Sequence, residues 1–181
     1  MSLPWLLTPR SDGLLGVAPA PELEMLRGAH TRLADLALND DMPRAIGVEG
    51  DCLELAVELA PGDAAQVGLV VRRSPGGEEE TRILYEPASG DLTVDRARSS
   101  ADRAVDRTPH AAHLMLEPDE PLRLRVFLDR SVIEIFANER LALTTRIYPT
   151  RADSLGLGLV AVGGAGLAHT VDTWQMGAIW E

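Results

Sequence analysis

The sequence predicts an all-β chain, either a sandwich or a barrel, and three observations carry that expectation. Turn signals recur at short intervals from Arg44 onward, the segments between them alternate apolar with polar residues, and β-branched and aromatic residues fill the most regular stretch, Leu122 to Pro149. A chain of 181 residues can bury a sizeable core without staples, so one main domain is expected, with residues 1–33 as a linker segment carrying a short helix and 34–181 as the β domain.

The elements follow in order. Residues 1–20 mix Leu3, Trp5, Leu6 and Leu7 with several Pro and Gly, which favours extended chain or one short hairpin. Pro21 then suits a helix start, with Glu22 and Glu24 in its first turn and Arg27 at its end before Gly28. Beyond Arg44, turns are expected at Gly50-Asp51, Pro61-Gly62-Asp63, Pro75-Gly76-Gly77, Ser89-Gly90-Asp91, Glu117 to Glu120, Asp129-Arg130, Asn138-Glu139 and Gly163-Gly164. Leu53, Leu55, Val57 and Leu59 alternate, as do Val67, Leu69 and Val71. Residues 96–112 are charged and unpatterned and are expected as a surface loop, a solvated mix of Arg96, Arg98, Arg103 and Arg107 with Asp95, Asp102 and Asp106.

In the regular stretch, Leu122, Leu124, Val126 and Leu128 share one face, while Arg123 and Arg125 point to the other. A two-residue turn at Asp129-Arg130 would set Arg125 opposite Glu134, Leu124 opposite Ile135 and Val126 opposite Ile133; a longer loop through Ser131 would set Glu134 opposite Val126. Asn138 to Arg140 make the next turn, and Pro149 ends the following strand. At the C-terminus, Leu155 to Ala161 and Leu167 to Trp180 read as two strands joined across Gly163 to Gly166, a hairpin at the core. Trp174 and Trp180 are expected as packing anchors rather than sugar platforms.

Charge and motifs exclude several functions. A net charge of −11 argues against a nucleic-acid partner, and no apolar run approaches the roughly 20 residues of a membrane-spanning helix. Met1 to Arg10 lacks a basic n-region followed by a long apolar core, so the chain reads as soluble; the parent's localisation is left open, with cytoplasmic slightly favoured over secreted. Cys52 is the lone cysteine and is expected as a buried, inert thiol. His30, His110, His113 and His169 are scattered, expected at a helix end, in a loop, at a strand start and in a strand, at no metal-ligand spacing. Ser99-Ser100 lacks a nucleophile elbow, Gly163 to Gly166 is no nucleotide fingerprint, and Asn39-Asp40-Asp41 reads as a solvated turn. Asp129 and Glu134 stand out among the carboxylates, yet a turn and cross-strand pairing account for them. No residue is assigned a catalytic, cofactor-binding or metal-ligating role.

Leu124 to Asn138, LRVFLDRSVIEIFAN, and Thr144-Thr145-Arg146-Ile147-Tyr148-Pro149 resemble the C-terminal domain of glycoside hydrolase family 32, the invertases, levanases and inulinases. The likeness extends to Pro19-Ala20-Pro21-Glu22-Leu23, Leu26-Arg27, Val94-Asp95-Arg96 with Ser99-Ser100, Gly163-Gly164, Trp174 and Ile179-Trp180. The resemblance implies a sandwich of two antiparallel sheets, without cofactor, whose partner is an N-terminal five-bladed propeller of the same parent chain. That propeller would hold a retaining β-fructosidase site, an Asp nucleophile and a Glu acid/base roughly 5 Å apart. The family's catalytic motifs, Asn-Asp-Pro-Asn, Arg-Asp-Pro and Glu-Cys, do not occur here; Asp51-Cys52 has Asp where Glu is needed. The expectation is an inactive, stabilising and oligomerising module, with a carbohydrate-binding module as the alternative and plain self-association as a third reading. The start at Met1-Ser2-Leu3, inside what resembles the interdomain linker, suggests an expressed fragment, with a natural truncation as the alternative.

Overall fold

The computed structural model describes residues 3–39 and 41–178. The expectations for Asp40, Ile179 and Trp180 lie outside them. A hairpin of β1 (Trp5–Pro9) and β2 (Leu15–Pro19) opens the chain, followed by a 3₁₀ helix over Pro21–Leu26. Twelve further strands follow: β3 (Arg27–Leu38), β4 (Arg44–Glu49), β5 (Cys52–Ala60), β6 (Gln66–Arg73), β7 (Thr81–Glu86), β8 (Asp91–Asp95), β9 (His110–His113), β10 (Leu122–Asp129), β11 (Val132–Ala137), β12 (Leu141–Arg146), β13 (Gly156–Val162) and β14 (Gly166–Met176). They form two six-stranded antiparallel sheets, ordered β12-β11-β10-β5-β14-β3 and β4-β13-β6-β7-β8-β9.

The two sheets bury their inner faces against each other, as alternation requires of a sandwich. Leu53, Leu55, Val57 and Leu59 of β5 and Leu122, Leu124, Val126 and Leu128 of β10 meet Val67, Leu69, Ile83, Tyr85, Leu92 and Leu159 in one continuous core. The even positions of β5 and the odd positions of β10 face outward. No helix among the described residues is long and apolar enough to cross a membrane.

Several local expectations are corrected. The predicted helix is a 3₁₀ segment; Arg27 ends it as expected, as a C-cap whose N–H donates to the Glu24 carbonyl, and it also opens β3, an edge strand that contains His30. The β10–β11 turn is Arg130-Ser131, one residue later than expected, so Arg125 pairs with Phe136 and Glu134 with Phe127. Arg130 accepts a φ of 52°, a conformation without a glycine signal, and its N–H is held by the Asp51 carbonyl at 2.7 Å. The β11–β12 turn lies where expected, with Asn138 and Glu139 both at positive φ (47° and 52°), as a type I′ turn needs. β13 and β14 are not hairpin partners: each is an inner strand, next to an edge, of a different sheet, and the Gly163 to Gly166 segment crosses between layers. The 96–112 loop gives up its last residues to β9, and Arg96, Ser99 and Ser100 are buried rather than solvated.

Candidate functional site

Burying a carboxylate is costly unless donors surround it, and four glutamates are buried among the described residues: Glu54, Glu79, Glu80 and Glu134. Each ties together segments far apart in sequence. Glu79, in the turn before β7, accepts from Ala101 N (2.7 Å), Thr150 N (2.9 Å), Thr150 Oγ1 (2.6 Å), Arg151 N (3.0 Å) and Ser154 Oγ (2.7 Å). Burial pushes its pKa up, but the Thr150 and Ser154 donors outweigh burial and hold it at about 2. Glu80 next door is clasped by Arg73 (3.0 Å), Arg82 (2.7 Å) and Arg98, and these cations keep it below the usual range against the upward push of burial.

Arg96 completes this pole of the sandwich. Its guanidinium, 3% exposed, donates to the Arg146 carbonyl (2.8 Å), the Thr108 carbonyl (2.8 Å) and Asp106 (3.0 Å). The loop after β8 is thus fixed from within. Glu79 and Glu80, held below the usual carboxylate range with both oxygens occupied, suit fixed anions and not a proton donor poised near neutrality.

On the outer face of the first sheet, Glu54 of β5 receives Arg27 Nε (2.8 Å) and Nη2 (2.8 Å) and Arg125 Nε (2.9 Å) and Nη2 (2.6 Å). Burial opposes its ionisation, and the two guanidiniums overcome it. Arg125 therefore finds its partner across β5 and not on β11. Arg27 lies 4.0 Å from the centroid of Trp174, and His30 stacks on the same ring at 4.8 Å while its Nε2 sits 2.7 Å from Asp172. Trp174 is half-buried on this outer face, outside the core, with its ring already occupied by a cation and an imidazole. Beside it, Ala56 leaves a depression of about 420 Å³ rimmed by Glu58, Arg123, Thr170 and Asp172, in which Arg123 is paired to Glu58 at 2.9 Å.

At the β11 side of the same face sits the N-terminal hairpin. Glu134 accepts from Leu3 N at 2.6 Å and from Trp5 Nε1 at 3.1 Å, and Trp5 meets Phe136 edge-to-face at 5.8 Å. Val17, Leu23, Phe127 and Phe136 form a small second core below it. Above that contact, Leu6, Leu7, Leu14 and Leu15 are 48–66% exposed, an apolar concentration unlike the rest of the surface among the described residues.

Of the carboxylates singled out in the sequence, Glu134 has this anchoring role. Asp129 ends β10, with the Cys52 sulfur 3.9 Å from its carboxylate. Cys52 is partly exposed, and burial, Asp51 and Asp129 push its thiol up. His110 and His113 lie in β9 and His169 at a bulge of β14; no group of three metal-binding side chains forms among the described residues. Glu54, Glu79 and Glu80 escaped the sequence reading. The one sequence signal near them was the Asp95-Arg96 and Ser99-Ser100 match, whose residues pack into the same pole.

The family model described as "Glycosyl hydrolases family 32 C terminal" matches residues 22–176. The chain belongs to that family. As a family 32 C-terminal domain it is 29% identical over 168 residues to a levanase of Bacillus subtilis, covering 90% of this chain and 24% of the levanase. It is 27% identical over 172 residues to a sucrose-6-phosphate hydrolase of Zymomonas mobilis, covering 91% and 32%. The domain thus spans about a quarter to a third of the curated relatives it matches. Among solved structures, fructan 1-exohydrolase IIa from Cichorium intybus aligns with a TM-score of 0.85 at 20% identity over 97% of this chain and 41% of that one, a likeness of fold. The saturated glutamates and the apolar hairpin are therefore features of a β-sandwich domain of fructosidases.

Proposed function

We propose that this domain is the non-catalytic C-terminal part of a longer retaining β-fructosidase that cleaves terminal fructofuranosides such as those of sucrose, levan or inulin. An N-terminal five-bladed propeller would carry the nucleophile and acid/base, and the sandwich would stabilise it by covering part of its surface. The observation that carries this reading is the exposed apolar hairpin, held rigidly to the sandwich by Glu134 and Phe136. It is supported by the missing catalytic motifs in the sequence and by the saturated state of Glu54, Glu79 and Glu80. A sugar-binding role is disfavoured by Trp174, whose ring faces Arg27 and His30 rather than open solvent.

Covering Leu6, Leu7, Leu14 and Leu15, each about half exposed, would contribute about 1 kcal/mol apiece to domain association. The test is thermal inactivation of the full-length protein against a version cut before Leu3. Removal of the sandwich is expected to shorten the half-life at least tenfold; equal half-lives would contradict the stabilising role.

A further inference from the structure

The hairpin has an open edge as well as an apolar surface. In the β1–β2 register, Ala20 N donates to the Pro4 carbonyl at 3.0 Å and Arg10 N to the Leu14 carbonyl at 2.9 Å. Antiparallel pairs alternate between bonded and non-bonded, so Leu6–Ala18 and Thr8–Gly16 are bonded pairs and Leu7–Val17 is not. Val17 N confirms the parity, because it points away from β1 and donates to the Glu139 carbonyl of the sandwich at 2.9 Å. By the same geometry the N–H and C=O of Leu7 point away from β2. Among the described residues no strand pairs with β1 on that side. Every residue of β1 is exposed, none is charged, and Arg10 is the first charge after it. Open edges are ordinarily blunted by charge or covered, and a two-stranded ribbon is marginal alone.

We infer that β1 is completed by a strand from the N-terminal domain of the same protein, which hydrogen-bonds at Leu7 and packs beside Leu6 and Leu7. The occupant follows from the relatives: they are three to four times as long as this chain, and the family model that it matches is described as the C-terminal one. Pro9, which has no N–H, stops the pairing one bonded position beyond Leu7. The inference rests on the reading of the chain as part of a longer fructosidase, and names the contact through which that reading operates.

Amide hydrogen exchange of the full-length protein, read at Leu7, tests it. Pairing should slow the Leu7 amide at least ~100-fold relative to an unstructured peptide, whereas in the 181-residue chain it should exchange within about tenfold of that rate. A second measurement uses Leu7→Pro, which removes a donor that bonds nothing inside the hairpin. It should shorten the thermal half-life of the full-length protein severalfold and leave unfolding of the 181-residue chain unchanged. A Leu7 amide that exchanges freely in the full-length protein overturns the inference. If the cut before Leu3 still shortens the half-life in that case, the stabilising role stands and only the strand pairing falls. If the cut has no effect, the proposed function itself fails.

Discussion

Replacing Glu79 by Gln should remove the strongest single tie between loops of the sandwich. The carboxylate gathers five donors from two separate segments, Ala101 and the 150–154 loop, at 2.6–3.0 Å, with no exposure to solvent. Lowering its pKa from 4.5 to about 2 corresponds to about 3 kcal/mol of folded-state stability at neutral pH. The sign follows from the direction: the folded pKa lies below the unfolded one, so the contribution is complete above about 4.5 and is lost as pH falls towards 2. Glu79→Gln mimics the protonated state in shape. The stability difference between wild type and variant, measured by denaturant unfolding from pH 7 to pH 2.5, should start near 3 kcal/mol and shrink steadily below pH 4.5. Taking the difference cancels the titration of distant carboxylates. A difference that stays constant across that range would refute the reasoning, because it would mean that packing and not ionisation supplies the stability.

Two more substitutions probe other contacts. Glu134→Ala withdraws the acceptor from Leu3 N and Trp5 Nε1, at a cost of about 1–3 kcal/mol; the Trp5 indole N–H resonance should move to its solvent-exposed position, and an unmoved resonance would show that Glu134 does not hold the hairpin. Gly68→Ala drives a Cβ into the Ile83 carbonyl oxygen of β7, a backbone clash that only strand displacement can relieve. It should destabilise by at least about 2 kcal/mol, and an unchanged denaturation midpoint would contradict the close approach of β6 and β7.

The layers were legible because alternation is a local property. Leu122 to Leu128 and Leu53 to Leu59 reveal their buried faces without reference to any partner, and the recurrent turns imply short antiparallel strands. Register was not legible at β10–β11, because Arg130 adopts a positive φ that its residue type does not advertise and the turn moves by one residue. That single step sends Arg125 to Glu54 on the opposite neighbour. The assignment of β13 and β14 to different sheets depends on long-range packing, and Gly163 to Gly166 suits a layer crossing as well as a hairpin. The buried glutamates were illegible for a related reason. Glu79 meets its donors at Thr150 and Ser154 only after the sheets have formed, so along the chain Glu78-Glu79-Glu80 resembles an exposed acidic run. The family likeness, by contrast, was carried by contiguous residues around Leu124 to Asn138, which the family match over 22–176 includes.

On the function proposed above, the chemistry of the fructosidase lies outside this domain. The most direct test is release of fructose from sucrose, levan and inulin by the purified 181-residue chain, set beside the full-length protein at equal molar concentration. The full-length protein should turn over at least one of the three, and the 181-residue chain none above the buffer rate. Sustained turnover by the 181-residue chain alone would contradict the claim.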